Sequence, residues 1–524
     1  MSGPDVAVIG AGIGGLTTAA LLARRGLRVE VFERRAVPGG CCTSASVEGH
    51  RFDVAASLFY GFGAGGFNAN RRVLDELQAP LDVLPKDPGF HLVLEGRTIP
   101  VHRSQAAYLD TLCAVFPSCA AGLRRFYERL TTLYADVLRV GFLPVADQSL
   151  TQLARLSFDN PALVTRYLPL LRHTVWSFLQ PLLRGVQAAE VRRLRALLDT
   201  DLAFGTCATA DEVPLLLAVP ILMDRHVGGI CYPRGGAQAL SDTLAAAFER
   251  HGGRLRRNTG VRRILVERNR AVGLRLDDGE TVHAAHVVSN AGVWNTFQSL
   301  LDPGIVPARA RRRVEQLQPS FSAFVTCVSV PAELVPAGFQ NHTVSIPDAA
   351  AGLSRATICY LPSLDDPALA PPGRHALTLV HVAPYERWSA GPGTRAEDRP
   401  ELDRAWTARA LTLAEDLLPG ITARGRVLAS FSPARLEREL GRRFGAVGGP
   451  AQVRSQSLHR RSGHGTGIAN LHLVGDSTFP GEGVVAVTIS GLNCADRIAP
   501  RRPGIRRDVK GADLTWNDAN SESW

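Results

Sequence analysis

The residues best suited to chemistry stand near the two ends of the chain. Close to its start, Gly10-Ala-Gly12-Ile-Gly14-Gly15 has the spacing G-x-G-x-x-G. Gly10 permits a tight turn, Gly12 lets the backbone approach a pyrophosphate, and Gly15 lets a helix pack closely on a strand. The helix N-terminus then offers unpaired N–H groups to phosphate oxygens. Glu33, at the end of the next strand, can accept both hydroxyls of a ribose. A second glycine pair, Gly39-Gly40 after Pro38, would let the chain turn back beneath an adenosine and its diphosphate. Far along the sequence, Leu471-His-Leu-Val-Gly475-Asp476-Ser477 ends a strand in Gly-Asp, and Pro480-Gly-Glu482-Gly483-Val484 opens a helix. Asp476 can bond a ribitol hydroxyl, and that helix N-terminus would set its partial positive charge against the N1–C2=O edge of a flavin. Two nucleotide-contacting ends so distant in sequence, converging on one extended coenzyme, specify FAD. The candidate contacts are Gly10, Gly12, Gly14, Gly15, Glu33, Gly39, Gly40, Val261, Gly475, Asp476, Gly483, Val484 and Val485. Glu482 is the candidate for acid–base chemistry, either as a proton acceptor near the flavin or as an acid that caps its own helix. No Ser-His-Asp set stands out, and the histidines show no zinc spacing, so no metal site is expected. His226 is the one histidine worth watching, against the plainer reading of a loop residue.

The elements that must position these residues are legible from pattern. Residues 5–9 form a short apolar, β-branched run that reads as a buried parallel strand. Residues 15–25 read as a helix with Gly26 as its C-terminal cap, and 27–32 as the next strand. Residues 71–225 read as helical, with alternating apolar and arginine positions over 123–138 and 163–198. The greasy run 167–183 is expected as a core helix of a substrate domain, or else as an amphipathic surface dipping into a bilayer with Tyr167 and Trp176 at the interface. A loop and helix over 235–251, short strands over 254–258, 264–267, 271–276 and 287–290, and a last strand at 471–474 return to the nucleotide-binding pattern. Residues 322–330 and 375–381 are strand candidates in a mixed region. The fold class expected is therefore α/β: a discontinuous Rossmann-type FAD-binding domain, of the two-dinucleotide-binding type, from 1–70, 226–300 and 459–500. An inserted α+β substrate domain takes 71–225 and 301–458, and 501–524 reads as a disordered tail.

Composition narrows the function classes. The net charge of +10 suggests nucleic acid until its source is examined: all but Lys86 and Lys510 of the 59 basic residues are arginine, spread along the chain without clustered aromatics. Nucleic-acid binding is not expected; attraction to an anionic membrane surface is the weaker reading that survives. Nine cysteines without C-x-x-C spacing suggest reduced thiols in a cytoplasmic protein. With no signal peptide in view and no apolar run of about 18 residues, a cytoplasmic protein, soluble or peripheral to the membrane, is expected.

Pro38-Gly-Gly-Cys-Cys42, Arg51-Phe-Asp53-Val, the run from Asp224 to Gly236, and Val474-Gly-Asp-Ser-Thr-Phe-Pro-Gly-Glu-Gly483 with Ile489-Ser-Gly491 make the chain resemble the carotenoid isomerase and phytoene desaturase family of FAD-dependent oxidoreductases. The likeness runs from Val6 to about Ile498, and the prolycopene isomerase branch looks nearest, through residues 224–236 and 370–375. The resemblance implies FAD, a lipophilic polyene substrate, cis–trans isomerisation or desaturation, and peripheral membrane contact; it leaves the oligomeric state open. Two departures stand out. Cys41 replaces an arginine found in many desaturases, removing a phosphate cation there, and Glu482 replaces a glutamine common in relatives. Two rivals are carried. An amine oxidase of the same superfamily resembles this scaffold but uses a lysine and an aromatic cage, and the chain has only Lys86 and Lys510. A non-catalytic lipid escort would have no use for Gly12, Glu33 and Asp476 together.

Overall fold

The computed structural model describes residues 3–141, 147–148, 150–159, 161–391 and 395–500. The tail 501–524 lies outside the described residues. Val6–Ile9 is buried at every position, as a central strand covered on both faces must be. It pairs in parallel with Val29–Phe32 on one side and His286–Ser289 on the other, Val8 facing Val31 and Val288. Arg254–Arg256 and Leu471–Leu473 complete a five-stranded parallel sheet. One sheet therefore gathers strands from the beginning, middle and end of the chain.

The helix Ile13–Arg24 lies on this sheet between Ala237–Arg250 and Val484–Ile498. Its approach to the last helix leaves no room for side chains. A Cβ on Gly491 would come within 2.8 Å of Gly14 O, and Thr18 Oγ1 donates both to Gly14 O, at 2.9 Å, and to Gly491 O, at 3.2 Å. Direct packing of the first helix against the last places the two ends of the sequence side by side.

A seven-stranded sheet runs in the order Arg426–Phe431, Ser322–Pro331, Arg374–Ala383, Thr357–Tyr360, His342–Ile346, Phe90–Leu94, Arg97–Val101. All its pairings are antiparallel except that of His342–Ile346 with Phe90–Leu94. Its last two strands correct the helical reading of residues 71–225, as does Val83–Lys86, which pairs antiparallel with Ile230–Pro233. The physical signal is local. Phe90, Leu92 and Leu94 alternate inward, and Glu95 (φ 49°) with Gly96 (φ 80°) supplies the two left-handed residues of a tight hairpin turn.

The helices of that stretch, among them Ala120–Val140, Ala188–Thr206 and Leu215–Val227, share a core around Leu123, Phe126, Tyr127 and Leu130. The run 167–183 is not one helix. Pro161–Leu170 ends, Thr174 and Ser177 form a reciprocal cap, Val175–Leu179 follows, and Pro181 lies in a 3-10 turn over Gln180–Leu183. Trp176, a proposed interface residue, is buried with the Arg195 guanidinium 4.7 Å from its ring centroid. His226 lies in the last turn of Leu215–Val227 rather than in a loop. Its Nδ1 meets His102 O at 2.9 Å, and burial, followed by the Arg225 charge, pushes its pKa down to about 3. It stays neutral and does not line the cavity described next. Among the described residues, no helix is long and apolar enough to cross a membrane, and no histidine, cysteine and acid cluster could hold a metal ion.

Candidate active site

The glycine turn after the first strand is built as its spacing requires. Gly10 takes φ +88°, and its N–H donates to Phe32 O at 2.8 Å. A Cβ on Gly15 would stand 2.4 Å from Gly10 O, which is the close helix–strand approach that only glycine permits. The helix starts after Gly12 without a side-chain cap, so its first N–H groups face the space in front of the sheet. Glu33 is held by two backbone donors: Oε2 accepts from Ala11 N at 2.8 Å and Oε1 from Arg35 N at 2.9 Å. The second glycine pair folds back onto the first loop. Gly39 (φ +121°) donates from its N–H to Ala11 O at 2.8 Å, and Gly40 follows at φ +60°.

Two residues past the last strand stands Gly475 (φ +97°), whose Cα lies 3.1 Å from the place a Cβ on Gly14 would take. The two glycine turns therefore share one opening. Asp476 forms an ion pair with Arg442 Nη1 at 2.5 Å, and Ser477 Oγ donates to it at 3.1 Å. Burial pushes the Asp476 carboxyl up, but Arg442 first and Arg461 second outweigh it and hold the group below the usual carboxylate range. Arg442 is itself fixed by bonds to Ala446 O and Val447 O, at 2.9 and 2.8 Å.

These turns open into a single cavity of about 920 Å³, near the top of the roughly 300–1,000 Å³ usual for ligand sites. Gly10, Gly12, Gly14, Glu33, Gly39, Gly40, Val261, Gly475, Asp476, Glu482, Gly483, Val484 and Val485 all line it. Gly15 does not; it sits behind the turn in the packing role described. Leu58, Tyr60, Phe67, Phe204, Pro220 and Ile221 wall an apolar chamber of the same cavity, with Phe90, His342 and Tyr360 of the seven-stranded sheet. The charged groups in that wall are bonded within the protein. Arg225 donates to both Asp201 oxygens, at 2.9 and 3.1 Å, while Asp224 accepts from the Tyr134 hydroxyl and from Phe67 N.

Glu482 lines the same cavity, beside Gly448. Among the described residues, the Glu482 carboxyl takes no hydrogen bond from the first turn of the helix Val484–Ile498 that follows it. It leans instead on Cys207 and Gln452, and Oε1 is buried without a partner. Burial pushes its pKa up to about 7, against the lowering pulls of the Cys207 and Gln452 bonds and the Arg461 charge.

Sequence reasoning missed Arg442, Arg461, Gln452 and Asn290. Asn290 follows the His286–Ser289 strand and packs its amide among the glycines, near the positions Cβ atoms on Gly12, Gly15 and Gly475 would take. The first three sit in irregular segments, where no periodicity or motif marks them. Arg34, Arg35 and Arg442 line the cavity, so cations are present although Cys41 lacks one.

Residues and coenzyme fit one another. Close-packed glycines let a diphosphate approach the backbone, and Glu33 and Asp476 line the same cavity, where they could bond ribose and ribitol hydroxyls. Glu33→Ala is expected to weaken flavin retention about tenfold, the size of a hydrogen bond to a charged group. Flavin absorbance per protein after dialysis measures it, and full occupancy would contradict the ribose assignment.

The chain is similar to known proteins over most of its length. A family model described as flavin containing amine oxidoreductase matches residues 13–398. The chain is 29% identical over 514 residues to prolycopene isomerase 2 of an Oncidium hybrid cultivar, covering 94% of this chain and 84% of that one. It is 25% identical over 531 residues to the neurosporene-forming phytoene desaturase of Cereibacter sphaeroides, covering 97% and 96%. A solved oxidoreductase from Methanosarcina mazei superposes with a TM-score of 0.62 at 20% identity, covering 93% and 98%, a likeness of fold.

Proposed function

Since the chain belongs to the flavin-containing amine oxidoreductase family and uses FAD, we propose that it acts on a long apolar polyene of the carotenoid kind, by cis–trans isomerisation or desaturation. One observation carries the reading: the cavity that takes the coenzyme is lined as well by aromatic and aliphatic side chains, and the charged groups among them are hydrogen-bonded within the protein. A polyene has no charged handle, so shape and apolar contact must select it. Similarity to prolycopene isomerases and to a phytoene desaturase supports the same substrate class.

Bound FAD supplies the two-electron chemistry. The protein's own residues do the rest. Glu33 and the glycine turns hold the adenosine end, Asp476 with Arg442 holds the ribitol side, and the chamber aligns the chain and excludes water. Glu482 offers Oε1 as the acceptor for a proton leaving the substrate.

The amine-oxidase alternative asks for a lysine at the cavity. Lys86 is ion-paired with Asp365 and does not line the cavity, and no lysine does so among the described residues. Peripheral membrane contact belongs to the proposal, since the substrate dissolves in lipid. Phe158 and Leu168, 85% and 62% exposed on neighbouring helices, support that contact.

The test is expression in hosts that accumulate poly-cis-lycopene or phytoene, with chromatography of the pigments and fractionation of the lysate. A geometric isomer of unchanged mass identifies an isomerase, and loss of two hydrogens per step a desaturase. Unaltered pigments in both hosts, with FAD bound, would sink the substrate assignment. Recovery of the protein wholly apart from membranes would sink the membrane contact.

A further inference from the structure

We propose that Cys207 is a positioning residue that, with Gln452 and Gly448, forms a socket orienting the Glu482 carboxyl group for proton transfer. The inference rests on the reading of Glu482 as the proton-carrying group. Cys207 stands at the C-terminus of the helix Ala188–Thr206, in the left-handed region at φ 48° and ψ 35°, and it lines the cavity.

The socket has a steric half and a hydrogen-bonding half. A Cβ on Gly448 would lie 1.2 Å from Glu482 Oε2 and 3.3 Å from Cys207 Sγ. Carboxyl and thiol therefore share the hole that the missing side chain leaves. The thiol and the Gln452 side chain both act on the carboxyl in the donor sense, favouring its ionised form. The Ser320 hydroxyl acts on the thiol as well, and its Oγ accepts from Gly448 N at 2.9 Å, which ties it to the residue that makes the space. Glu482 Oε1 is left without a partner, as is Gln452 Oε1.

Burial, then the neighbouring Glu482 charge, pushes the Cys207 thiol well above its ordinary value. It stays protonated and acts as a donor, not as a nucleophile. A donor to the carboxylate favours the ionised form, which a proton acceptor needs. The other charged groups that bear on Glu482 are Arg461 and Arg442, which favour ionisation, and Asp476, which opposes it.

The experiment follows the visible absorbance of the FAD-loaded protein across neutral pH, with no substrate present. A transition near pH 7 is expected in the parent protein and is expected to vanish in Glu482→Gln. In Cys207→Ala it should move up by roughly half to one pH unit, the size of one lost hydrogen bond. Cys207→Ser, which keeps a donor, should return it towards the parent value. Gly448→Ala, which leaves the thiol in place and fills the hole, should displace the transition as well. A transition that survives in Glu482→Gln, or stays put in both Cys207→Ala and Gly448→Ala, overturns the proposal. Should Cys207→Ala fail to retain FAD, the Ser and Gly448→Ala variants decide, and an unmoved transition in Gly448→Ala is then the overturning result. Because no polyene enters the measurement, its outcome is independent of the pigment assay.

Discussion

Glu482→Gln is expected to keep its FAD and to lose roughly 10²–10⁴-fold in turnover, the usual contribution of a positioned acid or base. The amide preserves the size of the side chain and can still receive the Cys207 and Gln452 donors, so the cavity keeps its shape. What it cannot do is take a proton. The sign of the pH dependence follows from a pKa raised by burial to about 7: below that pH the carboxyl is already protonated and cannot accept. Parent turnover should therefore climb as pH rises through 7 and then level, and the variant should lack that limb. Turnover is measured as polyene converted by purified protein at a series of pH values. Parent-like rates in the variant would remove Glu482 from the chemistry. The helix-capping alternative would instead leave turnover intact and lower Tm. Oε1 of Glu482 meets no helix N–H and is left without a partner, which argues against it.

The parts of the site legible in the sequence are those where backbone geometry restricts residue type. Gly10 needs a positive φ, Gly15 needs to lack a Cβ, and Glu33 must end its strand facing the turn; each constraint leaves a mark in one short window. The same holds for Val6–Ile9, whose burial on both faces demands a continuous apolar run. Long-range pairing leaves no such mark. Arg442 matters because it meets Asp476, and Gln452 because it meets Glu482, and neither partner is near in sequence. The helical reading of 71–225 failed for a related reason. Phe90–Leu94 and Arg97–Val101 are short strands, stabilised by docking beside His342–Ile346 from far along the chain. Prolines at 85, 88 and 100 obscured the alternation that Phe90, Leu92 and Leu94 do show. In 167–183 the apolar content was visible, but the Thr174–Ser177 cap that divides it depends on two small side chains bonding to local backbone.

Gly15→Val is expected to yield a protein without FAD. The position stands behind the coenzyme site and does not line the cavity, so the effect must travel through the backbone. Even the first carbon of a side chain would come 2.4 Å from Gly10 O and 3.2 Å from the Asn290 side chain. The nearest obstacle is a carbonyl of the turn itself and not the end of a flexible side chain, so the helix must lift off the strand. Overpacking of this sort costs typically 1–3 kcal/mol; at the upper end that is about a hundredfold in flavin affinity. The lifted helix also carries Gly14 away from Gly475, and with it the junction where the two ends of the chain meet. Gly26→Ala is the control. Gly26 has φ +90° but nothing within 4 Å of a Cβ, so its replacement strains one residue at a helix end and leaves the turn alone. Absorbance of bound flavin and far-ultraviolet circular dichroism measured together separate the cases. The Gly15 variant should be folded and colourless, and the Gly26 variant folded and yellow. A yellow Gly15→Val protein with parent flavin content would mean that the first turn does not grip the coenzyme.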